Sequence, residues 1–322
     1  MKLKRKKRLL MIIITIVILI PVIVVLLIIN TNPFQRSPDE LTITIAWNPG
    51  STADDVVRAM SREISTNISL HNVVGANGAN GANAVYRSLR NGSNVLSTNL
   101  SAFVTSEAMG FAESSPRDWE VWLLAFSPAV IIVADDSPYQ TIDDLIADIR
   151  ANPSTIRCAD DGYGTIGFTA AELFSSQIVL EVHHESFSGE AQAIDAVLNN
   201  QADFAILLGA LVAENIRSGL LRELGAINDA VNLAVPFGEY YGLFIPANTP
   251  HEHLASFDSM IKSAASSETF LSYLSNAGLL AVTPDRSTSA ATVEGFSSIT
   301  NWTLWSAGFL PTNPDSLGIQ KP

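Results

Sequence analysis

The chain has 322 residues, of which 47% are hydrophobic and 16% charged, a composition typical of folded globular proteins. Six of its 19 basic residues lie within the first eight positions, so the remainder carries 13 basic against 32 acidic residues, a net charge of −19. A body this acidic repels polyphosphate, which argues against nucleic acid as a partner. The single cysteine, Cys158, excludes an intramolecular disulfide and a multi-cysteine metal site.

An uncharged apolar run of 21 residues, Leu9–Ile29, follows the basic N-terminus. A helix of that length spans the hydrocarbon core of a bilayer, which is about 30 Å thick. The preceding lysines and arginines place the N-terminus in the cytoplasm by the positive-inside rule. We therefore predict a single-pass cell-membrane protein with an extracytoplasmic body. Residues 1–30 form the basic segment and transmembrane anchor, and residues 31–40 form a stalk. A cleaved secretory signal is the alternative, although NTNPFQRSP offers no A-x-A-like cleavage site.

Strand and helix patterns alternate through the rest of the chain. LTITIAW, from Leu41, predicts a strand, NPGST a loop, and DDVVRAMSREIS a helix. GANGANGAN predicts a tight turn before the helix NAVYRSLR. VWLLAFSPAVIIVA predicts a long buried strand, TIDDLIADIRA a capped helix, TIRCA a strand, and FTAAELFSSQI a helix after the loop GYGTIG. AIDAVLNN and ENIRSGLL predict helices on either side of the strand ADFAILL. This alternation predicts an α/β fold.

Two loops at predicted helix N-termini are candidate binding sites. GYGTIG has the G-x-G-x-x-G spacing of dinucleotide-binding loops at Gly162, Gly164 and Gly167, so a nucleotide-dependent oxidoreductase is one alternative. Asp160 and Asp161 stand directly before these glycines and would repel a pyrophosphate. More generally, both GYGTIG and NPGST present backbone N–H groups and the positive end of a helix dipole, which suit a carboxylate. In NPGSTAD the S-x-x-D spacing also predicts that Ser51 caps its own helix.

Catalytic and metal-binding patterns are weak in this sequence. His251 and His253 in PHEHL supply two potential metal ligands with no nearby third, and are more typical of the first turn of a helix. The sequence contains neither a G-x-S-x-G nor an H-E-x-x-H motif. We therefore predict no catalytic residue, no metal and no cofactor.

Several motifs, in order from Ile43 to about Phe309, resemble the solute receptors of tripartite tricarboxylate transporters, the Bug-type or TctC-like family. WNPGSTADDVVR is similar to the family's P-G-G-x-x-D-x-x-x-R opening through Pro49, Gly50, Asp54 and Arg58. GANGANGANAV resembles its P-G-A-G-G-N-x-G-A-x-x-V segment through Gly75, Ala76, Gly78, Gly81, Ala82 and Val85. Its glycine loop and following helix are matched by Gly162, Gly164, Ala170, Ala171, Glu172, Leu173 and Phe174. Further matches are Phe187, Gly189, Gln201, Asp203 and the segment YYGLFIPANTP from Tyr240.

The resemblance implies a two-lobed, periplasmic-binding-protein-like Venus flytrap of type II. Its first lobe would comprise residues 41–136 plus 238–322, and its second lobe residues 137–237. The implied function is capture of a small carboxylate-containing metabolite for the membrane permease subunits of a tripartite transporter. An orphan sensory ectodomain is the remaining alternative.

The two loops and this resemblance together yield a set of candidate ligand-binding residues. In the first lobe these are Trp47, Gly50, Ser51, Thr52, Asp54, Thr98, Asn99 and Ser101. In the second lobe they are Asp160, Asp161, Gly162, Gly164, Thr165, Phe187 and Ser188. We expect Ser51, Thr52 and the N–H groups near Gly50 to hold a ligand carboxylate. Because Asp160 and Asp161 replace small hydroxyl residues of the family, we expect them to receive a hydrogen-bond donor of the ligand. The ligand is then a monocarboxylate or carries an amino or amide group.

Overall fold

The computed structural model describes residues 40–180 and 182–322. The predicted anchor, Leu9–Ile29, and the predicted stalk lie outside the described residues. No helix within the described part of the chain has the length and apolar character needed to cross a membrane.

Strands and helices alternate along the described residues, as the sequence predicts. The strands are β1 (Glu40–Ile45), β2 (Asn67–Asn72), β3 (Asn94–Asn99), β4 (Trp119–Ala134), β5 (Arg157–Asp160), β6 (His183–Ser186), β7 (Phe204–Leu208), β8 (Leu221–Ala226), β9 (Gly238–Pro246) and β10 (Leu280–Ala281). The helices are α1 (Thr52–Ser61), α2 (Ala79–Tyr86), α3 (Leu100–Thr105), α4 (Ile142–Ala151), α5 (Ile166–Ile178), α6 (Glu190–Leu198), α7 (Gly209–Arg217), α8 (Ile227–Ala230), α9 (His251–Ala265), α10 (Glu268–Asn276) and α11 (Arg286–Ser306).

Strand β4 joins the two parts of the sheet, whose order is β2-β1-β3-β9-β4-β7-β5-β6. Its first ten residues, up to Pro128, pair with β9, and β10 also pairs with this part. From Ala129 onward it pairs with β7 on one side and β8 on the other. We call β1, β2, β3, β9, β10 and residues 119–128 the first half-sheet. The second half-sheet comprises residues 129–134 and β5–β8. The predicted lobe boundaries stay a prediction.

The strand directions make the loops of the two half-sheets face each other. β1 and β3 are parallel, β9 is antiparallel to β3, and β4 is antiparallel to β9, so β1 and β3 point the same way as β4. β7 is antiparallel to β4, and β5 and β6 are parallel to β7, so these strands point back toward the first half-sheet. Both sets of carboxyl ends therefore converge near the middle of β4, where Glu239 pairs with Ser127 and Leu208 with Ala129.

Apolar side chains cover both faces of this sheet. One cluster extends along both half-sheets and includes Phe174 of α5, Phe244 of β9 and Phe296 of α11. A second cluster packs α1, α9 and α10 against the other face of the first half-sheet, and a third packs α6 and α7 against the second. Because strands buried on both faces need continuous apolar runs, these layers explain the sequence VWLLAFSPAVIIVA of β4.

Three elements that differ from the sequence prediction are α7, α2 and β8. Helix α7 begins at Gly209, five residues before the predicted start of ENIRSGLL, and ends at Arg217, four residues before its predicted end. Helix α2 begins at Ala79, four residues before the predicted start, because Gly75 and Gly78 at positive φ complete the turn early. Gly81 then lies inside the helix, where a Cβ would come within 3.1 Å of Val73 O and of Ala46. Strand β8, Leu221–Ala226, was not predicted, because LRELGA lacks a period-two apolar pattern and forms a strand through its pairing with β4.

We expect Gly238→Ala to destabilise the fold strongly. A Cβ at Gly238 would overlap the carbonyl oxygen of Ser127 and lie 2.7 Å from Pro128 Cα. Both are backbone atoms at the position where β4 changes its partner from β9 to β7. Overpacking of this kind costs about 1–3 kcal/mol or more. Gly209→Ala is the matched control, because its Cβ would meet no atom closer than 3.4 Å. Chemical unfolding should show a large decrease in the free energy of unfolding for Gly238→Ala but not for Gly209→Ala. Equal stabilities of the two variants would contradict the prediction.

Candidate functional site

The loop between β1 and α1 is held by a buried carboxylate. Asp54 is 1% exposed, and its oxygens accept from Gly50 N at 3.0 Å, Arg58 Nε at 2.8 Å and Asn72 Nδ2 at 2.8 Å. The Asn72 amide also donates to Trp47 O, so β2 braces the loop from the side. Burial raises the pKa of Asp54, but the hydrogen bonds from Arg58, Asn72 and Gly50 outweigh it and lower the pKa to about 2.

These contacts correct two expectations for the first loop. The N–H of Gly50 is used by Asp54 and is not offered to a ligand, and Asp54 itself lies under the loop. Ser51 caps α1 by accepting from Asp54 N at 3.3 Å, as its spacing predicts. The N–H groups of Thr52 and Ala53, in the first turn of α1, have no acceptor within the helix and remain the backbone donors of this loop.

A second group of predicted residues lies beside this loop. Trp47 Nε1 donates to Thr98 Oγ1 at 3.0 Å. Gly78, at φ +85°, brings the GANGAN turn against the same pair, because a Cβ there would lie 3.5 Å from Thr98 Oγ1. The Thr52 hydroxyl lies near the phenol of Tyr241, whose pKa is raised by burial. The structure therefore brings together Trp47, Thr52 and Thr98, and adds Tyr241.

Asn99 and Ser101 contact a carboxylate of the chain itself. Glu239, at the start of β9, is 4% exposed and accepts from Asn99 Nδ2 at 3.1 Å and Ser101 N at 3.0 Å. The Ser101 hydroxyl donates to the same carboxylate. Burial raises the pKa of Glu239 to about 7, against the lowering effect of these hydrogen bonds. Glu239 accepts from both donors of Ser101 and from one amide N–H of Asn99, so the expectation that Ser101 donates to a ligand carboxylate is corrected.

The loop between β5 and α5 also turns its acidic side chains inward. Asp160 is fully buried and accepts from Gly162 N at 2.9 Å and Ser186 Oγ at 3.0 Å. Asp161 accepts from Thr165 Oγ1 at 2.5 Å, and Thr165 caps α5 by accepting from Phe168 N. Burial raises the pKa of both aspartates. In this geometry Asp160 shapes the loop and is closed to a ligand donor, contrary to expectation.

The other predicted residues of the second half-sheet lie around this loop. Gly164, at φ +81°, is exposed, and no atom lies within 4 Å of the Cβ position that a side chain there would occupy. Phe187 donates its N–H to Asp160 O at 3.0 Å and packs with the apolar cluster behind β5, while Ser188 is exposed. The ring of Tyr163, 73% exposed, stacks on Phe309 at 5.4 Å, which joins the loop to the segment after α11.

Sequence reasoning missed four residues that build the site: Asn72, Ser186, Glu239 and Tyr241. For Glu239 a signal was present, because a glutamate within GEYYGLFIP, a strand buried along its whole length, needs donors from a neighbouring element. For Asn72 and Ser186 no local pattern pointed to their partners, which lie 18 and 26 residues away along the chain.

Comparison with known proteins identifies the family. The sequence model of the TctC family, described as Tripartite tricarboxylate transporter family receptor, matches residues 52–295, which are more than half of the chain. The chain belongs to this family.

Two curated proteins are similar in sequence to this chain. A UPF0065 protein from Bordetella pertussis (strain Tohama I) is 25% identical over 167 residues, which are 48% of this chain and 52% of the relative. The chain thus aligns with about half the length of that protein. The UPF0065 protein of the tcbD–tcbE intergenic region of Pseudomonas sp. (strain P51) is 24% identical over 261 residues, covering 74% of this chain and 77% of the relative.

Solved structures share the fold of this TctC-family receptor. A TctC solute-binding protein from Polaromonas, without ligand, has a TM-score of 0.76 at 18% identity, covering 83% of this chain and 98% of its own. An R. palustris protein with adipate has a TM-score of 0.64 at 17% identity, covering 85% and 99%. MatC from Rhodopseudomonas palustris with bound malate has a TM-score of 0.59 at 18% identity, covering 83% and 99%. The fold is therefore α/β and periplasmic-binding-protein-like.

We expect Asp54→Asn to lower the free energy of unfolding by about 2 kcal/mol at pH 7, because a pKa of about 2 lies below the ordinary value of 3.8. A lowered folded-state pKa stabilises the fold above about pH 4, and this contribution is lost as the pH falls through 2. The difference between wild type and variant should therefore shrink toward pH 2 in denaturant titrations. Asp55→Asn is the control, because Asp55 is exposed; an equal loss there would refute the assignment.

Proposed function

We propose that the body captures a small carboxylate-containing metabolite between the facing loops of the two half-sheets and delivers it to the permease subunits of a tripartite transporter. The observation that carries this proposal is the convergence of the β1–α1, β3–α3 and β5–α5 loops at the middle of β4. In α/β folds, ligands bind outside the carboxyl ends of the strands. The bound adipate and malate in two proteins of the same fold support a carboxylate as the ligand class.

Neutral donors hold the carboxylate in this proposal. NPGST, TNLS and DDGYGT, the loop segments at the converging strand ends, contain no lysine or arginine. Arg58, beside the first loop, is paired with Asp54. The remaining donors of the first loop are the Thr52 hydroxyl and the first-turn N–H groups of α1, which suit an anion. Gly164 and Ser188, both exposed, supply contacts from the second half-sheet.

The receptor family and the fold do not favour the nucleotide-dependent oxidoreductase or the orphan sensor. The GYGTIG glycines serve a different purpose in the structure. Gly162 donates its N–H to Asp160, and Gly167 lies so close to Asp161 and β7 that a Cβ would come within 2.7 Å of Ile206 O. This close packing explains the third glycine without a nucleotide.

We expect Thr52→Val to weaken carboxylate binding about ten-fold to a hundred-fold, because a hydrogen bond to a charged group contributes about 1.5–3 kcal/mol. Calorimetry with malate, adipate and shorter mono- and dicarboxylates measures the affinities. Thr292→Val on α11 is the matched control, because its hydroxyl donates to Thr288 O within the helix. Equal affinities of Thr52→Val and wild type would show that the carboxylate binds elsewhere. If wild type binds no carboxylate at all, the proposed function is contradicted.

For the N-terminal region we propose that Leu9–Ile29 is a retained single-pass anchor that holds the body outside the cytoplasm. The run is long enough to span a bilayer and is preceded by six basic residues. In the native host the full chain should fractionate with membranes after a high-salt wash, and external protease should digest the body in cells whose outer layers are permeable. A soluble mature protein that begins near Asn30 would establish the cleaved-signal alternative.

A further inference from the structure

Glu239 is a carboxylate of the chain placed where donors for an anion are concentrated. It accepts from Asn99 Nδ2, Ser101 N and Ser101 Oγ, and is 4% exposed. These bonds use the N–H and the hydroxyl of Ser101 and one of the two N–H groups of the Asn99 amide. A carboxylate of the protein therefore occupies donors that could otherwise bind a ligand carboxylate.

The position of Glu239 puts it beside the proposed ligand site. It is the second residue of β9, at the point where β4 passes from one half-sheet to the other, and it pairs with Ser127. Residues two apart in a strand share a face, so Glu239 lies on the same face of β9 as Tyr241. Tyr241 packs in the same apolar cluster as Ala53 in the first turn of α1, next to Thr52, the proposed carboxylate-binding residue. A ligand held at Thr52 thus lies on the side of β9 that carries Glu239.

The same place offers a buried acceptor without a partner. Asn99 Oδ1 is buried and has no hydrogen-bond partner among the described residues. An unpaired buried acceptor is destabilising, and a donor supplied by a ligand removes that cost. Glu239 and Asn99 together present acceptors to the site, whereas a second ligand carboxylate needs donors.

We propose that Glu239 determines ligand selectivity: it excludes a second carboxylate and favours a ligand that carries one carboxylate and a hydrogen-bond donor such as an ammonium group. The proposal rests on the proposed function, because it assumes that a carboxylate binds at the Thr52 loop. The carboxylate of the ligand lies at Thr52 and the first turn of α1, and its donor group lies toward Glu239 and Asn99 Oδ1.

Two matched pairs of probes test this selectivity. The pair 4-aminobutyrate and succinate, and the longer pair 6-aminohexanoate and adipate, differ in one end group, ammonium against carboxylate. Wild type should bind the amino acid of at least one pair at least ten-fold more tightly than its dicarboxylate. Glu239→Gln keeps the shape of the side chain and, at pH 8.5, above the Glu239 pKa of about 7, removes its charge. At that pH it should lower this ratio at least ten-fold, by weakening the amino acid and strengthening the dicarboxylate.

Glu120→Gln is the control, because it removes one carboxylate at the opposite end of β9, where Glu120 pairs with Ile245 and forms an ion pair with Arg286. If Glu239→Gln fails to fold, Glu239→Ser removes the same charge with a short hydroxyl side chain. An unchanged ratio in the folded variant, or a wild type that prefers the dicarboxylates, overturns the selectivity proposal while the carboxylate receptor stands. If no probe, malate included, binds wild type or variant, the proposed function itself fails.

Discussion

The continuity of β4 is the constraint on which the arrangement of the site depends. One 16-residue strand is hydrogen-bonded to β9 in its first part and to β7 and β8 in its second, so the two half-sheets share a backbone segment. Pro128 lies at the change of partner, and Gly238 opposite it leaves no room for a side chain. Because the neighbouring strands run toward this point from both sides, their loops meet there whatever residues they contain. The residues decide only what the loops bind.

Each of these loops is organised by a buried acidic side chain that accepts a backbone N–H. Asp54 accepts from Gly50, Asp160 from Gly162, and Glu239 from Ser101. Hydrogen bonds to a charged group are worth about 1.5–3 kcal/mol each, enough to hold a glycine-containing loop in one conformation. The cost is that these N–H groups are no longer available to an anion. Binding then falls to hydroxyls and to the first turn of α1, which the internal carboxylates leave open.

Sequence patterns predicted the parts of this structure that depend on neighbours in the chain. The alternation of strands and helices, the long apolar β4 and the capping of α1 by Ser51 and of α4 by Thr141 all follow from local spacing. The orientation of Asp160 and the pairing of Glu239 with Ser101 depend instead on which strands are adjacent. Glu239 and Ser101 are 138 residues apart, and only the antiparallel register of β3 with β9 brings them together. The sequence therefore located the loops but assigned to a ligand several donors that the fold itself uses, such as the N–H groups of Gly50 and Ser101.

The acidic charge of the body and the absence of lysine and arginine from the loops are related. At physiological ionic strength charges are screened over about 8 Å, so the net charge of −19 opposes an approaching anion only near the surface and adds nothing to its capture. Affinity must then arise from hydrogen bonds at contact distance, and so must selectivity. At that distance the acidic side chains, which already accept hydrogen bonds from the protein, act on a ligand through their charge. The hydroxyls act by donating hydrogen bonds to it. A receptor built in this way distinguishes ligands by where they place each polar group, and the total charge of the ligand matters less.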